Sequence, residues 1–331
     1  MCGLFGFTNY GNKLSSSELS QICNALARES EERGSHATGI AYINKGRLLI
    51  EKAAKPAYKM NFRLPSTIAV MGHTRHSTQG SEKKNINNHP FSGYSNTNKP
   101  FALAHNGIID NDKTLRNKHK LPKTKIETDS YIAVQLIEQK GDLSFESLKN
   151  MAEQVQGSFS FSILDHMGNM CIVKGDSPIS MLHFEELGLY IYASTNEILW
   201  KAMINTVLFK HIQKNLDNKA QTVEKVTITS GEIIKIDTKG DITKSIFKYD
   251  ELCSLSYSWW DFGNRPSKII QYDDEHVAEL KSIATQFGYD TDEVDALLDS
   301  GYSFEEIEEL MYECDYTEDN CGELSYHLCG K

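Results

Sequence analysis

Short segments with alternating apolar residues recur along the chain, and they constrain the fold more than any other feature. A two-residue period is typical of strands that bury at least one face of a sheet. It predicts strands at residues 4–8, 39–43, 48–51, 68–72, 101–105, 158–164, 170–174, 189–193 and 222–229. Helical periodicity at residues 16–32, 128–139, 145–154 and 197–202 falls between blocks of strands. We therefore expect an α+β fold with sheets packed face to face and helices outside.

Acidic side chains are concentrated in the last quarter of the chain. Residues 250–331 carry 21 acidic and 4 basic side chains, whereas the remainder carries 24 acidic and 31 basic ones. Helical patterns at residues 274–287, 291–299 and 303–314 follow a stretch without periodicity. We expect a principal domain at residues 2–249, a linker at 250–272 and an acidic helical appendage at 273–331. Nucleic acid is not expected as a partner, because like charges repel.

Composition and cysteine usage are those of a soluble globular protein. The chain is 40% hydrophobic and 24% charged. It contains no run of about 18 apolar residues, and its first residues lack the basic start and apolar stretch of a signal peptide. The seven cysteines are odd in number and irregularly spaced, which argues against a disulfide framework. We expect a cytoplasmic protein with reduced thiols and no membrane partner.

Cys2 is the first residue with the potential for covalent chemistry. Removal of Met1 would give Cys2 a free α-amino group beside its thiol. An α-amine, whose ordinary pKa is about 8, can act as general base for a neighbouring nucleophile. Taken alone, an early cysteine is more often structural.

Arg75 follows the strand predicted at residues 68–72, within the segment GHTRHSTQG (72–80). A guanidinium at a strand end can donate two parallel hydrogen bonds to a carboxylate, although a single arginine more often forms a surface ion pair. Residues 84–100, rich in Asn and Ser, predict a long loop. Long loops in compact domains are often functional.

Polar residues also stand at the end of one predicted strand and at the start of one predicted helix. Asn106 and the backbone N–H of Gly107 are two donors able to surround a developing oxyanion, and a glycine lets the backbone approach a substrate closely. The same pair is typical of an ordinary Asn-Gly turn. Asp129 either complements the dipole of its helix or binds the ammonium group of a ligand.

The order of these motifs is more specific than any one of them. Cys2 is followed by GLFG (3–6), RGSHATGI (33–40), GHTRHSTQG (72–80), NHPF (88–91), HNGII (105–109) and ETD (127–129). This series resembles the glutaminase domain of class II glutamine amidotransferases, the N-terminal-nucleophile type found in glucosamine-6-phosphate synthase. Weaker matches continue through residues 193–197 and 230–233, so the resemblance covers about residues 2–245.

The resemblance implies a four-layer αββα sandwich and assigns roles to individual residues. Cys2 would attack the side-chain amide of glutamine, with its own amine moving the proton. Asn106 and the N–H of Gly107 would hold the oxyanion, while Arg75 would bind the α-carboxylate of glutamine and Asp129 its α-ammonium. No cofactor or metal is expected, and the other pocket residues would be Thr78, Gln79 and Arg33.

Two positions depart from the family pattern. His36 stands where the family commonly has Asp, and His76 occupies a position often held by an aromatic or other apolar residue. Both are interpreted as local variation, because neither is a catalytic group in this scheme. His73 and His105 are interpreted as structural, since the terminal amine already supplies a base.

Three functions remain open at this stage. The chain could hydrolyse glutamine to glutamate and ammonia through a thioester on Cys2 and supply a separate synthase, because about 82 residues after the domain are too few for a synthase domain. It could instead be an N-terminal cysteine hydrolase of a γ-glutamyl compound. The third function is a catalytically silent glutamine-binding regulatory protein.

The appendage also has three interpretations. It could recruit the separate synthase through its acidic face and its apolar stripe, or pack as a cap on the positively charged domain. The third interpretation is a metal site, although the spacing of its ligands matches no familiar zinc pattern. Those ligands would be Cys314, Cys321, His327 and Cys329.

Overall fold

The computed structural model describes residues 2–216, 223–249, 274–286, 290–299 and 307. The chain divides into two units, Met1–Trp260 and Asp261–Lys331. The linker expected at residues 250–272 and the candidate metal ligands lie outside the described residues. So does the helix expected at residues 303–314, apart from residue 307. No helix in the described part of the chain is long and apolar enough to cross a bilayer.

The described strands of the first unit form two antiparallel sheets. They are β1 (Gly3–Asn9), β2 (Ala37–Asn44), β3 (Arg47–Ala53), β4 (Ala69–Arg75), β5 (Phe91–Tyr94), β6 (Pro100–Ile109), β7 (Gly157–Asp165), β8 (Met170–Lys174), β9 (Ser180–Phe184), β10 (Leu189–Ala193), β11 (Glu224–Lys225), β12 (Glu232–Ile236) and β13 (Ile242–Ile246). The first sheet has the order β11-β9-β10-β1-β4-β2-β3, and the second has the order β13-β12-β8-β7-β6-β5. Strands β1 and β4 are therefore neighbours inside one sheet, and β6 and β7 are neighbours inside the other.

Helices cover the outer face of each sheet. Those described in the first unit are α1 (Ser16–Glu29), α2 (Asp112–Lys118), α3 (Tyr131–Lys140), α4 (Phe145–Ala152), α5 (Asn196–Ile204) and α6 (Val207–Leu216). Apolar side chains from α1, α5 and α6 pack on the first sheet, and those of α3 and α4 pack on the second. A third cluster, which includes Leu4, Met71 and Ala104, lies between the sheets. The expected four-layer αββα architecture is therefore confirmed.

Helix α1 shows how local sequence prepares the site. Ser15 accepts a hydrogen bond from the backbone N–H of Glu18, whose carboxylate accepts one from the N–H of Ser15, so the helix begins with a capping box. Leu19 and Ile22 are buried against the first sheet. The helix ends in a 3-10 turn, Ser30–Arg33, which carries Arg33 to the start of β1.

The structure departs from the sequence prediction in two loop regions. Residues 84–100 include β5, so they do not form a single long loop. The alternating pattern of β5 is short, and Gly93 contributes no apolar side chain to it. A β-carbon at Gly93 would overlap the ring of Phe101 on β6. The strand predicted at residues 222–229 is only two residues long, Glu224–Lys225.

The second unit contains two described helices, α7 (Asp274–Gln286) and α8 (Thr291–Asp299), where the periodicity predicts them. Leu280 and Val294 are buried. The ammonium of Lys281 lies 2.6 Å from the carboxylate of Asp295, so an ion pair joins the two helices.

Substitution of Gly72 by Ala is expected to destabilise the first unit by about 1–3 kcal/mol. Gly72 pairs with Phe5 on β1, and a β-carbon at Gly72 would overlap the ring of Phe5, which is fully buried and has no room to move. The denaturant midpoint of unfolding measures this loss. The loss should be smaller in a Phe5→Leu background, so equal losses in both backgrounds would contradict the packing argument.

Candidate active site

Cys2 lies immediately before β1, beside the end of β4. The two strands are antiparallel, with Gly3 opposite Thr74, so the residues that follow β4 reach the Cys2 thiol. The backbone N–H of His76 donates to Cys2 Sγ at 3.4 Å, and the Arg33 Nε donates to the Cys2 carbonyl at 2.9 Å. The reactive end of the strand is therefore held from two sides.

The environment of the Cys2 thiol acts on its pKa in both directions. Burial raises the pKa above its ordinary value and is the dominant influence. The hydrogen bond from His76 and the charge of Arg75 lower it, whereas the carboxylate of Asp129 raises it. Because burial dominates, the resting group is the thiol, and a base is needed to generate the nucleophile.

Arg75 is the last residue of β4 and is almost completely buried. Its Nη1 donates to Asn88 Oδ1 at 2.7 Å, and its Nη2 donates to the carbonyls of Gln79 and Gly80 at 2.7 and 2.9 Å. A guanidinium has five N–H groups, so Nε and one Nη1 hydrogen remain after these bonds within the described chain. Arg75 therefore fixes the following loop and keeps two donors for a ligand.

The loop after β4 is anchored a second time through Glu127. Gln79 Nε2 donates to the carbonyl of Glu127 at 3.0 Å, and Asn87 exchanges hydrogen bonds with the carboxylate and the backbone N–H of the same residue. Glu127 directly precedes Thr128 and Asp129. These contacts bring the residues after β4 next to the residues before α3.

Asn106 and Gly107 lie inside β6, so the alternative of an Asn-Gly turn is wrong. Ala102 and Ala104 belong to the cluster between the sheets, and the two-residue period of the strand turns Asn106 to the same side. The Asn106 side chain is fully buried, and neither of its polar atoms has a hydrogen-bond partner among the described residues. Burial of an amide without hydrogen bonds reduces the stability of the folded state, and this loss of stability is tolerated at functional sites.

Gly107 has a backbone conformation that side chains rarely adopt, with φ at +133°. A β-carbon at this position would also overlap the carbonyl oxygen of Ser158 on β7. Only a glycine fits here without strain. Because Gly107 has no side chain, its backbone lines the pocket directly.

Asp129 is buried and precedes helix α3. Its Oδ2 accepts a hydrogen bond from the backbone N–H of Ile109 at 2.7 Å, and its Oδ1 accepts one from the Ser130 hydroxyl at 3.3 Å. Asp129 thus ties the end of β6 to the start of α3. This contact was not foreseen by either interpretation of Asp129 from the sequence.

One pocket collects most of the predicted site residues. It is lined by Cys2, Arg75, Thr78, Gln79, Gly107 and Asp129, together with His76, His89, His105, Thr128 and Ser130. The other two predicted residues do not line it. Arg33 donates to the backbone carbonyl of Cys2, and Asn106 is the buried neighbour of Gly107. Six of the eight predicted residues therefore share one pocket.

Two buried histidines form hydrogen bonds next to the pocket. His73 Nε2 hydrogen-bonds the carbonyl of His105 at 2.9 Å, and His105 Nδ1 lies 2.8 Å from the Ser130 hydroxyl. Burial lowers the pKa of His73 to about 3, so the ring is neutral and Nε2 donates to the carbonyl. These contacts support the structural role expected for both histidines.

The sequence analysis does not assign a role to His89, yet this residue lines the pocket. The centroid of its ring lies 4.1 Å from that of the His73 ring. Neither of its ring nitrogens has a hydrogen-bond partner in the described part of the chain. Burial lowers its pKa well below the ordinary value of imidazole. The signal that could have identified it is its place in the NHPF motif.

His36 and His76, the two departures from the family pattern, are in contact. Their rings are stacked with centroids 4.8 Å apart, and His36 Nδ1 accepts a hydrogen bond from the backbone N–H of Ser77 at 2.9 Å. Both side chains are exposed. His76 lines the pocket next to Cys2, and His36 packs against it.

The chain is similar to known glutamine-dependent enzymes. Residues 73–201 match the family of glutamine amidotransferase domains. The glutamine–fructose-6-phosphate aminotransferase of Chlamydia muridarum is 32% identical over 190 residues, which cover 54% of this chain and 30% of that protein. The enzyme of the same name from Clostridium acetobutylicum is 30% identical over 209 residues, covering 60% of this chain and 32% of that protein.

A solved structure shares the fold. Glutamine phosphoribosylpyrophosphate amidotransferase from B. subtilis superposes with a TM-score of 0.58 at 20% identity, over 75% of this chain and 50% of that one. The chain spans about a third of the length of the curated relatives it matches. The family match, the relatives and the two-sheet architecture agree: the chain contains a class II glutamine amidotransferase domain.

Proposed function

We propose that this domain hydrolyses L-glutamine to L-glutamate and ammonia, with Cys2 as the nucleophile. The observation that carries the proposal is the shared pocket, which is lined by the Cys2 thiol and Gly107. The amide of Asn106, the preceding residue in the strand, has no hydrogen-bond partner among the described residues. Charged groups of opposite sign, Arg75 and Asp129, line the same pocket. An amino-acid head group and a side-chain amide fit this division of charged and neutral groups.

The reaction begins with deprotonation of the Cys2 thiol. Removal of Met1 supplies the α-amine that takes the proton, and the thiolate attacks the carbonyl carbon of the glutamine side chain. The oxyanion of the tetrahedral intermediate accepts hydrogen bonds from the Asn106 amide and the Gly107 N–H. The amine returns the proton to the leaving nitrogen, ammonia departs, and water hydrolyses the thioester to release glutamate.

Substrate orientation depends on the two charged residues. The Nε and the remaining Nη1 hydrogen of Arg75 donate to the α-carboxylate of glutamine, while the carboxylate of Asp129 accepts from its α-ammonium. Thr78 and Gln79 complete the rim of the pocket. Arg33 acts indirectly, because it holds the Cys2 carbonyl.

The ammonia is proposed to pass to a separate acceptor enzyme. Residues 250–331 carry 21 acidic and 4 basic side chains, and we assign this segment to docking of that enzyme through complementary charge. The proposed division of the chain remains a domain at residues 2–249, a linker at 250–272 and an appendage at 273–331.

A glutamine analogue with a reactive chloroketone in place of the side-chain amide tests the proposal. We expect one covalent adduct per chain, located on Cys2 by peptide mass spectrometry, with Met1 absent from the labelled peptide. Excess glutamine should protect Cys2, and excess γ-glutamyl amides should protect it less. Labelling of another cysteine, or labelling that glutamine does not suppress, would contradict the proposal.

Substitution of Arg75 by Lys is expected to raise KM for glutamine about 10- to 100-fold, with a smaller effect on kcat. The change removes charge-assisted hydrogen bonds to the substrate and releases the Gln79 carbonyl. Steady-state glutamate release measures the effect. Arg63→Lys is the matched control, because Arg63 is exposed and lies outside the pocket; an equal rise of KM in both variants would rule out a binding role for Arg75.

A further inference from the structure

His36 contacts three consecutive residues at the end of β4. Its backbone N–H donates to the carbonyl of Arg75 at 2.9 Å, its ring stacks on that of His76, and its Nδ1 accepts from the N–H of Ser77. Gly34 keeps the two segments close, because a β-carbon there would lie 2.5 Å from the His76 nitrogen. One residue of the RGSHATGI motif thus holds the turn that follows the strand.

The turn held by His36 contains the peptide that touches the nucleophile. The N–H of His76 donates to Cys2 Sγ, and that N–H belongs to the peptide between Arg75 and His76. The His36 N–H donates to the carbonyl of this same peptide, and the His36 ring accepts from the N–H of the next peptide, at Ser77. Any displacement of the turn would therefore move the donor relative to the thiol.

We propose that His36 is a positioning residue for Cys2, acting as a neutral hydrogen-bond acceptor that holds the His76 peptide against the thiol. The proposal rests on the proposed function of the domain as a glutamine hydrolase. Because Nδ1 accepts from Ser77, the proton of the neutral ring lies on Nε2. Protonation of Nδ1 replaces the acceptor by a donor, which would face the Ser77 N–H and break the contact.

The charged and titratable groups near the pair are the N-terminal amine, the Cys2 thiol, the Arg75 guanidinium and the Glu82 carboxylate. Partial burial, and to a lesser extent the N-terminal amine and the neighbouring His36, lower the pKa of His76.

Two substitutions distinguish the contribution of the His36 hydrogen-bond acceptor from that of its ring stacking. In His36→Asn the amide oxygen takes the place of Nδ1 and does not titrate. In His36→Phe the ring remains for stacking, but the acceptor is lost. A third variant, His76→Phe, keeps the backbone donor and the stack, so it serves as the control for ring chemistry at position 76.

The first readout is the rate at which iodoacetamide alkylates Cys2, measured against pH and assigned by peptide mass spectrometry. We expect the alkylation midpoint of His36→Phe to rise by about 0.5 to 1 pH unit, because the thiolate loses the His76 donor. His36→Asn and His76→Phe should keep the wild-type midpoint. Equal midpoints in His36→Phe and His36→Asn would overturn the proposal.

The second readout is kcat for glutamine hydrolysis at a fixed pH. It should fall in His36→Phe but not in His36→Asn, because only His36→Phe lacks an acceptor for the Ser77 N–H. Equal kcat in His36→Phe and His36→Asn would contradict the proposal. Alkylation is measured without glutamine, so absence of turnover in every variant would refute the proposed hydrolysis, while the alkylation midpoints would still test His36.

Discussion

Cys2→Ala is expected to abolish glutamine hydrolysis, with a loss of about 10⁴-fold or more in kcat. No thioester can form without the thiol, and the oxyanion donors have no tetrahedral intermediate to stabilise. The fold should persist, because Cys2 precedes β1 and its side chain is only partly buried. Glutamate release from the purified protein measures the effect, and thermal unfolding reports on the fold.

Cys23→Ala is the matched control for this prediction. Cys23 is fully buried in the cluster beneath α1, and burial raises its pKa, so its thiol is an inert part of the core. We expect a loss of stability of about 1 kcal/mol with kcat unchanged. Residual hydrolysis in Cys2→Ala that equals the wild type would show that the nucleophile lies elsewhere.

Asn106→Ala is expected to lower kcat by about 10²- to 10³-fold while KM for glutamine changes little. The amide would act on the oxyanion, which exists only after attack, so its removal affects the transition state more than the bound substrate. The same substitution removes two buried polar atoms that have no partner among the described residues. Stability should therefore be unchanged or higher, despite the loss of activity.

Parallel measurement of kcat, KM and the unfolding midpoint tests this combination. Thr8→Val is a suitable control, because Thr8 is also buried with an unpartnered hydroxyl in the described structure, but it lies at the far end of β1. It should leave kcat unchanged. A large rise of KM or a large loss of stability in Asn106→Ala would assign the amide to substrate binding or to the fold.

Much of the sheet architecture follows from periodicity. Strands β8 and β10 occur at the predicted bounds, because all of their residues are buried and, apart from Lys174, they are apolar or aromatic. Strand β9, with its polar Ser180 and His183, and strand β12, with Glu232 and Lys235, were not predicted. Their polar residues reduce the apolar signal, and each also pairs with a strand far away in the sequence, β9 with β11 and β12 with β8, which local sequence does not encode.

The candidate site was predicted from the order of motifs, whereas its geometry was not. Arg75 and Asn106 were expected just beyond two strands, yet both lie within them. The apolar pattern ends where polar residues begin, but these polar residues face the interior of the protein. The contact between His36 and His76 was also missed, because 40 positions separate them and only the pairing of β2 with β4 brings them together.

The hydrogen bonds of Arg75 couple occupancy of the pocket to the shape of its entrance. The guanidinium holds the loop through the Gln79 and Gly80 carbonyls and through Asn88. A carboxylate bound to the two remaining donors would fix the guanidinium, and with it the loop. Binding and loop order would then be linked by one free energy, and the affinity measured for any ligand would include the free energy of ordering the loop.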